Sequence, residues 1–136
     1  MEANTNKWIV EYLEEDKIVF EKNLEPLNWE ETKEVAKQVV DTLRKNNTNR
    51  VLIEHSGVIK LSVLQIDKLP DFIAELNIRK EDKVAIFYKR GAAYETLLTF
   101  LKNVLFLRSH KLRLFTDKDK AIAWLKSEGQ DNSKDG

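Results

Sequence analysis

The chain has 136 residues, 42% hydrophobic and 34% charged, a balance that suits one globular domain with a continuous core. Lys and Arg number 23 and Asp and Glu number 23, so no net field draws it to nucleic acid or to an anionic membrane. The absence of cysteine excludes disulfides, thiolate nucleophiles and zinc–thiolate sites.

Residues 1–6 and 127–136 are polar apart from Met1 and Ala3, which predicts flexible termini around a single domain at 7–126. The start "MEANTNKW" has no basic region followed by an apolar run, so the expectation is a cytoplasmic protein. "KWIVEYL" (7–13) alternates, with Trp8, Val10 and Tyr12 on one face and Ile9, Glu11 and Leu13 on the other. "KIVFEK" (17–22) follows the charged turn Glu14-Glu15-Asp16, and the pair predicts an antiparallel hairpin. The first helix opens at "LNWEE", with Asn28 as N-cap, Glu31 as its capping-box partner and Leu27 as a staple. Val35, Ala36, Val39, Val40 and Leu43 then recur at helical spacing.

"VLIEH" (51–55) predicts a buried strand. Ser62 with Gln65 makes a second capping box and starts a helix near Val63, which Pro70 kinks or divides before Asn77. "DKVAIFYK" (82–89) predicts a strand, and a long helix follows Gly91. Its apolar stretch Tyr94–Leu107 is broken by Glu95, Lys102 and Asn103, short of the ~18–20 apolar residues of a membrane span. "KLRLFT" (111–116) is a further strand, and "DKDKAIAWLKS" a closing helix with Ala121, Trp124 and Leu125 facing inward. The order β-β-α-β-α-β-α-β-α predicts the α/β class: a mixed, mainly parallel five-stranded sheet with an N-terminal antiparallel hairpin and four flanking helices. The pattern leaves the order of strands in the sheet open.

The residues Phe115, Thr116, Asp117, Ala121, Trp124 and Leu125 carry a family likeness. A final strand ending Phe-Thr-Asp and a short Ala-x-x-Trp-Leu helix resemble the STAS / SpoIIAA-like group of small bacterial domains. The specific part spans 82–126 and the element order extends it over 7–126. The resemblance implies a non-catalytic regulatory module acting by protein–protein contact, as in anti-sigma-factor antagonists. The related lipid-transfer shape would instead carry a small hydrophobic ligand. It also implies a phosphorylatable serine at the helix start after the 51–55 strand, where phosphate would meet free N–H groups. Ser62 is the nearest match, although the Asp-Ser-Ser-Gly pattern is absent and an N-cap role alone accounts for the residue.

Other candidates follow from the residues themselves. Parallel strands would bring His55, Ser56, Lys89, Arg90 and Gly91 to one carboxyl edge, where open α/β sheets take ligands; Lys89, Arg90 and the helix start would suit an anion. Ser56-Gly57 also reads as an ordinary turn. On the helix after Gly91, Tyr94, Leu97, Leu98, Leu101 and Leu105 would cover the sheet, leaving Phe100, Val104 and Leu107 as a second apolar row for a neighbouring element, a homodimer or another protein. No Gly-x-Ser-x-Gly elbow, phosphate loop, dinucleotide fingerprint or metal-spaced cluster occurs, so the expectation is no enzyme, no metal and no cofactor.

Overall fold

Two strand-forming runs joined by four residues fold back on each other. In the computed structural model, which describes residues 7–25, 27–55, 68, 71–72, 74–88 and 111–127, β1 (Trp8–Leu13) pairs antiparallel with β2 (Ile18–Asn23). The turn closes on Lys17 at φ 56°, a left-handed position costly for a residue with a Cβ. Two bonds hold it: Thr48 Oγ1 donates to the Lys17 carbonyl at 2.6 Å, and Arg50 Nη1 to the Asp16 carbonyl at 2.8 Å.

Helix α1 (Trp29–Lys45) has the expected capping box, with Asn28 Oδ1 accepting from the Glu31 N–H at 2.8 Å and Glu31 Oε1 from the Asn28 N–H at 3.0 Å. Leu27 is buried against the cluster of Trp8 and Val35, where a staple would reach the fourth helical residue. That residue is Thr32, and its hydroxyl instead donates back to the Asn28 carbonyl. Val35, Val39 and Leu43 form the buried stripe. The helix stops in a Schellman turn: Asn47 lies at φ 54°, its N–H donates to the Arg44 carbonyl, and the Thr48 N–H donates to the Leu43 carbonyl.

The sheet continues through β3 (Arg50–His55), β4 (Lys83–Tyr88) and β5 (Lys111–Phe115) in the order β1-β2-β3-β4-β5. The three pairings after the hairpin are parallel. The mixed, mainly parallel five-stranded sheet is therefore present, flanked among the described residues by α1 and by α2 (Lys118–Lys126). Helical residues also occur at 68, 71–72 and 74–75, with a turn at 76–77, and the remainder of the two predicted central helices lies outside the described residues.

α1 packs on the face formed by Val10, Tyr12, Val19, Val51, Ile53 and Val84. α2 packs on the opposite face, where Ala121 and Leu125 meet Ile18, Phe20, Leu52 and Ala85. Each fully buried Ile or Leu contributes about 1.5–3 kcal/mol. Trp124, expected to face inward, packs against this cluster but keeps partial exposure at the rim, its ring centroid 5.9 Å from that of Phe115. The reason is position: α2 lies mainly over β3 and β4, and Trp124 reaches β5, beyond which no further strand is described.

Candidate functional site

Strand direction and register sort the α1 face of the sheet into rows. The row Val19–Val51–Val84–Leu112 is aliphatic, and Tyr12 ends it on β1. The next row towards the carboxyl ends is Val10–Glu21–Ile53–Ile86–Leu114. The last is Trp8–Asn23–His55–Tyr88. Neighbouring strands stand ~4.8 Å apart, so Asn23, His55 and Tyr88 span about 10 Å of this edge. Hydrogen-bonding residue types on this face thus gather at the carboxyl ends of β2, β3 and β4.

Glu21 is the anomaly in that pattern. It is 5% exposed, Oε2 has no hydrogen-bond partner among the described residues, and its ladder neighbours are Val10 and Ile53. Burial alone pushes its carboxyl up to about 8, so at neutral pH it is a protonated acid able to donate. Asp82, the other buried acid, shows the usual solution. It is 1% exposed, accepts both Arg44 Nη atoms at 3.2 and 2.7 Å, and takes the Arg79 N–H at 2.7 Å. That arrangement ties the end of α1 to the entrance of β4 and is structural; the paired carboxylate in turn raises the Arg44 pKa.

A second feature lies on the α2 face at β5. The Arg113 guanidinium stands 5.5 Å from the Phe115 ring centroid and 5.8 Å from that of Trp124. Among the described residues no carboxylate pairs with Arg113 or with the exposed Lys111, which share this face of the edge strand. Lys83, beside Lys111 in the ladder, is engaged: its ammonium donates to the Trp124 and Ser127 carbonyls at 2.8 and 3.0 Å and lies 4.7 Å from the Trp124 ring centroid. Among the described residues Lys22–Glu54 and Lys118–Glu54 on this face are long at 3.7 and 3.8 Å, whereas Lys126 of α2 reaches Asp16 at 2.9 Å.

Of the sequence candidates, His55 falls in the last register row of the carboxyl edge. Ser56, Ser62, Lys89, Arg90, Gly91, Phe100, Val104 and Leu107 lie outside the described residues. Glu21, Asn23, Tyr88 and Arg113 were not singled out from the sequence. The available signal for Glu21 was the alternation Val19-Glu21 in a strand that turns out to be covered on both faces. Among the described residues no group of three His, Cys, Asp or Glu could hold a metal ion, and no helix is long and apolar enough to cross a membrane. Ile9 and Leu24 are the large hydrophobic residues exposed there, at 40% and 47%. The chain matches no family model, no curated protein and no solved structure.

Proposed function

We propose that the chain is a non-catalytic, cytoplasmic regulatory module of STAS-like, SpoIIAA-like shape that acts by binding another protein. The consecutive sheet order, with an antiparallel first strand and three parallel steps, supports the fold side of that reading. The observation that carries the binding side is Arg113. A guanidinium laid against two aromatic rings, without a carboxylate among the described residues, is oriented while its donors stay available. It sits on a strand whose outer edge pairs with no described strand, next to the cation of Lys111. The occupant matching this surface is an extended acidic segment: its backbone adds to β5 and its carboxylates meet Arg113 and Lys111.

The test is a titration of isotope-labelled protein with a synthetic hexapeptide alternating Val and Glu. The expected result is amide shifts concentrated at Lys111–Phe115 that weaken with salt and are lost in Arg113→Glu. Shifts spread evenly over the molecule, or unchanged in the variant, would remove this surface. A second reading, carriage of a small ligand, is favoured by one observation, the unpartnered Glu21.

A further inference from the structure

A buried carboxyl with an unmet oxygen is costly. An orphaned donor or acceptor in a protein interior destabilises it by the desolvation of that group, and the loss is avoided when an apolar side chain takes the place. Nothing in the packing at position 21 requires an acid. Val10 and Ile53 flank it on the ladder, Val19 precedes it on the same face, and an aliphatic residue would continue the surface that α1 covers. The chain also shows that it pairs a buried acid where the role is structural, since Asp82 has Arg44 and a backbone N–H. Glu21 has neither.

Its place in the sheet supplies the second half of the argument. Within the strands the rows of the α1 face change from aliphatic to hydrogen-bonding types towards the carboxyl ends, while at the amino ends Asn49 and the paired Asp82 precede the aliphatic row. Glu21 lies at that transition, one row below Asn23, His55 and Tyr88. Its own row continues across the sheet as Ile53, Ile86 and Leu114. The carboxyl edge of an open α/β sheet is the usual place for a ligand. An acid donor followed by three aliphatic residues suits a molecule with one polar end.

We infer that Glu21 is the hydrogen-bond donor of a binding site for a small apolar molecule carrying one acceptor oxygen, a ketone or a carboxylate, entering at the carboxyl ends of β2, β3 and β4. The protonated carboxyl donates to that oxygen, and Ile53, its partly exposed neighbour in the row, meets the start of the apolar body, Ile86 beyond it being already buried. No charged group faces Glu21 among its described neighbours: β1 and β3 place Val10 and Ile53 beside it, β2 places Val19 and Asn23, and α1 presents Val35 and Val39 to this side of the sheet. The acid therefore stays neutral through the physiological range by burial alone. This inference rests on the small-ligand reading and is independent of the surface at β5.

Decanoate and 2-decanone serve as probes in separate titrations of protein carrying a carbon-labelled Glu21 carboxyl, at pH 7. The expected result is a shift of that carboxyl signal and of the Tyr88 amide with at least one probe, the responding probe identifying which oxygen is accepted. Glu21→Leu weakens that binding by about tenfold, the equivalent of one hydrogen bond, whereas Glu21→Gln, which still donates an N–H, stays within about threefold. Wild-type affinity falls above pH 8 as the carboxyl loses its proton, and Glu21→Gln shows no such fall. If neither probe moves the Glu21 signal at millimolar concentration, or Glu21→Leu binds as tightly as wild type, the inference is overturned. Should the leucine variant fail to fold, the contrast between the wild-type and Glu21→Gln pH profiles decides by itself. The Val-Glu hexapeptide titration, run on the same sample, shows whether the β5 surface survives independently.

Discussion

Glu21 and Asp82 are both acids in the interior, and opposite consequences follow from their surroundings. Glu21 ionises at about 8 in the folded chain and near its ordinary value of 4.5 when unfolded. Between those values the unfolded chain has released a proton that the folded chain keeps. The contribution of Glu21 to stability is therefore full below about pH 4.5, is lost progressively up to about pH 8, then levels. Urea unfolding of Glu21→Gln across that range is expected to lack this slope, and the variant should be the more stable of the two at pH 8.5; parallel profiles would show that the carboxyl is solvated after all. For Asp82, whose carboxylate is held by Arg44, Asp82→Ala leaves a cation facing a dry gap. Because Arg44 retains some exposure, the expected loss is about 2–3 kcal/mol, at the low end for a broken buried pair. The double change Arg44→Met with Asp82→Leu should recover most of it, which denaturant midpoints would register.

α2 is only nine residues long, so its ends decide whether it stays formed. At its start Asp117 accepts the Asp119 and Lys120 N–H groups. At its finish Lys83, from β4 and not from the helix, donates to the carbonyls of Trp124 and Ser127 and to Ser127 Oγ. A cation there satisfies orphan acceptors and opposes the negative end of the helix dipole. Ser127 closes the same turn, with its N–H and hydroxyl donating to the Trp124 carbonyl. Lys83→Met keeps the aliphatic stem and removes the donors; it should cost about 1 kcal/mol. Amide exchange should quicken across Ala121–Ser127 while Val39 and Leu43 in α1 keep their protection. Uniform quickening would mean that α2 does not fray as a unit.

Across the whole molecule, two small residues set the distance between layers. Ala85 in β4 and Ala121 in α2 are both fully buried in one cluster with Leu52 and Leu125. Their size lets the helix settle close to the sheet, which in turn brings Lys83 within reach of the helix end. Ala121→Leu inserts three carbon atoms into that contact and is expected to cost about 1–3 kcal/mol. Because α2 carries Trp124, the indole emission should shift to the red as the helix lifts. An unshifted spectrum with undiminished stability would show the layer to be looser than the burial of these residues implies.

Local chemistry made much of this legible in advance. The alternation of Trp8, Val10 and Tyr12, the capping box of Asn28 and Glu31, and the aliphatic density of 51–55 and 83–88 each fix an element through contacts a few residues apart. Strand direction followed too, because helical crossovers impose parallel neighbours. What tertiary structure decided are the relations between distant positions. Val10 and Ile53 stand on either side of Glu21 only because β2 lies between β1 and β3, and the same placement removes water from its carboxyl. Arg113 stands beside both the Phe115 and Trp124 rings only because α2 folds back over the sheet and brings Trp124 to the last strand. A sequence states which side chains are acidic or basic; burial and register, which depend on segments far apart in the chain, determine whether those charges are paired, neutralised or left available.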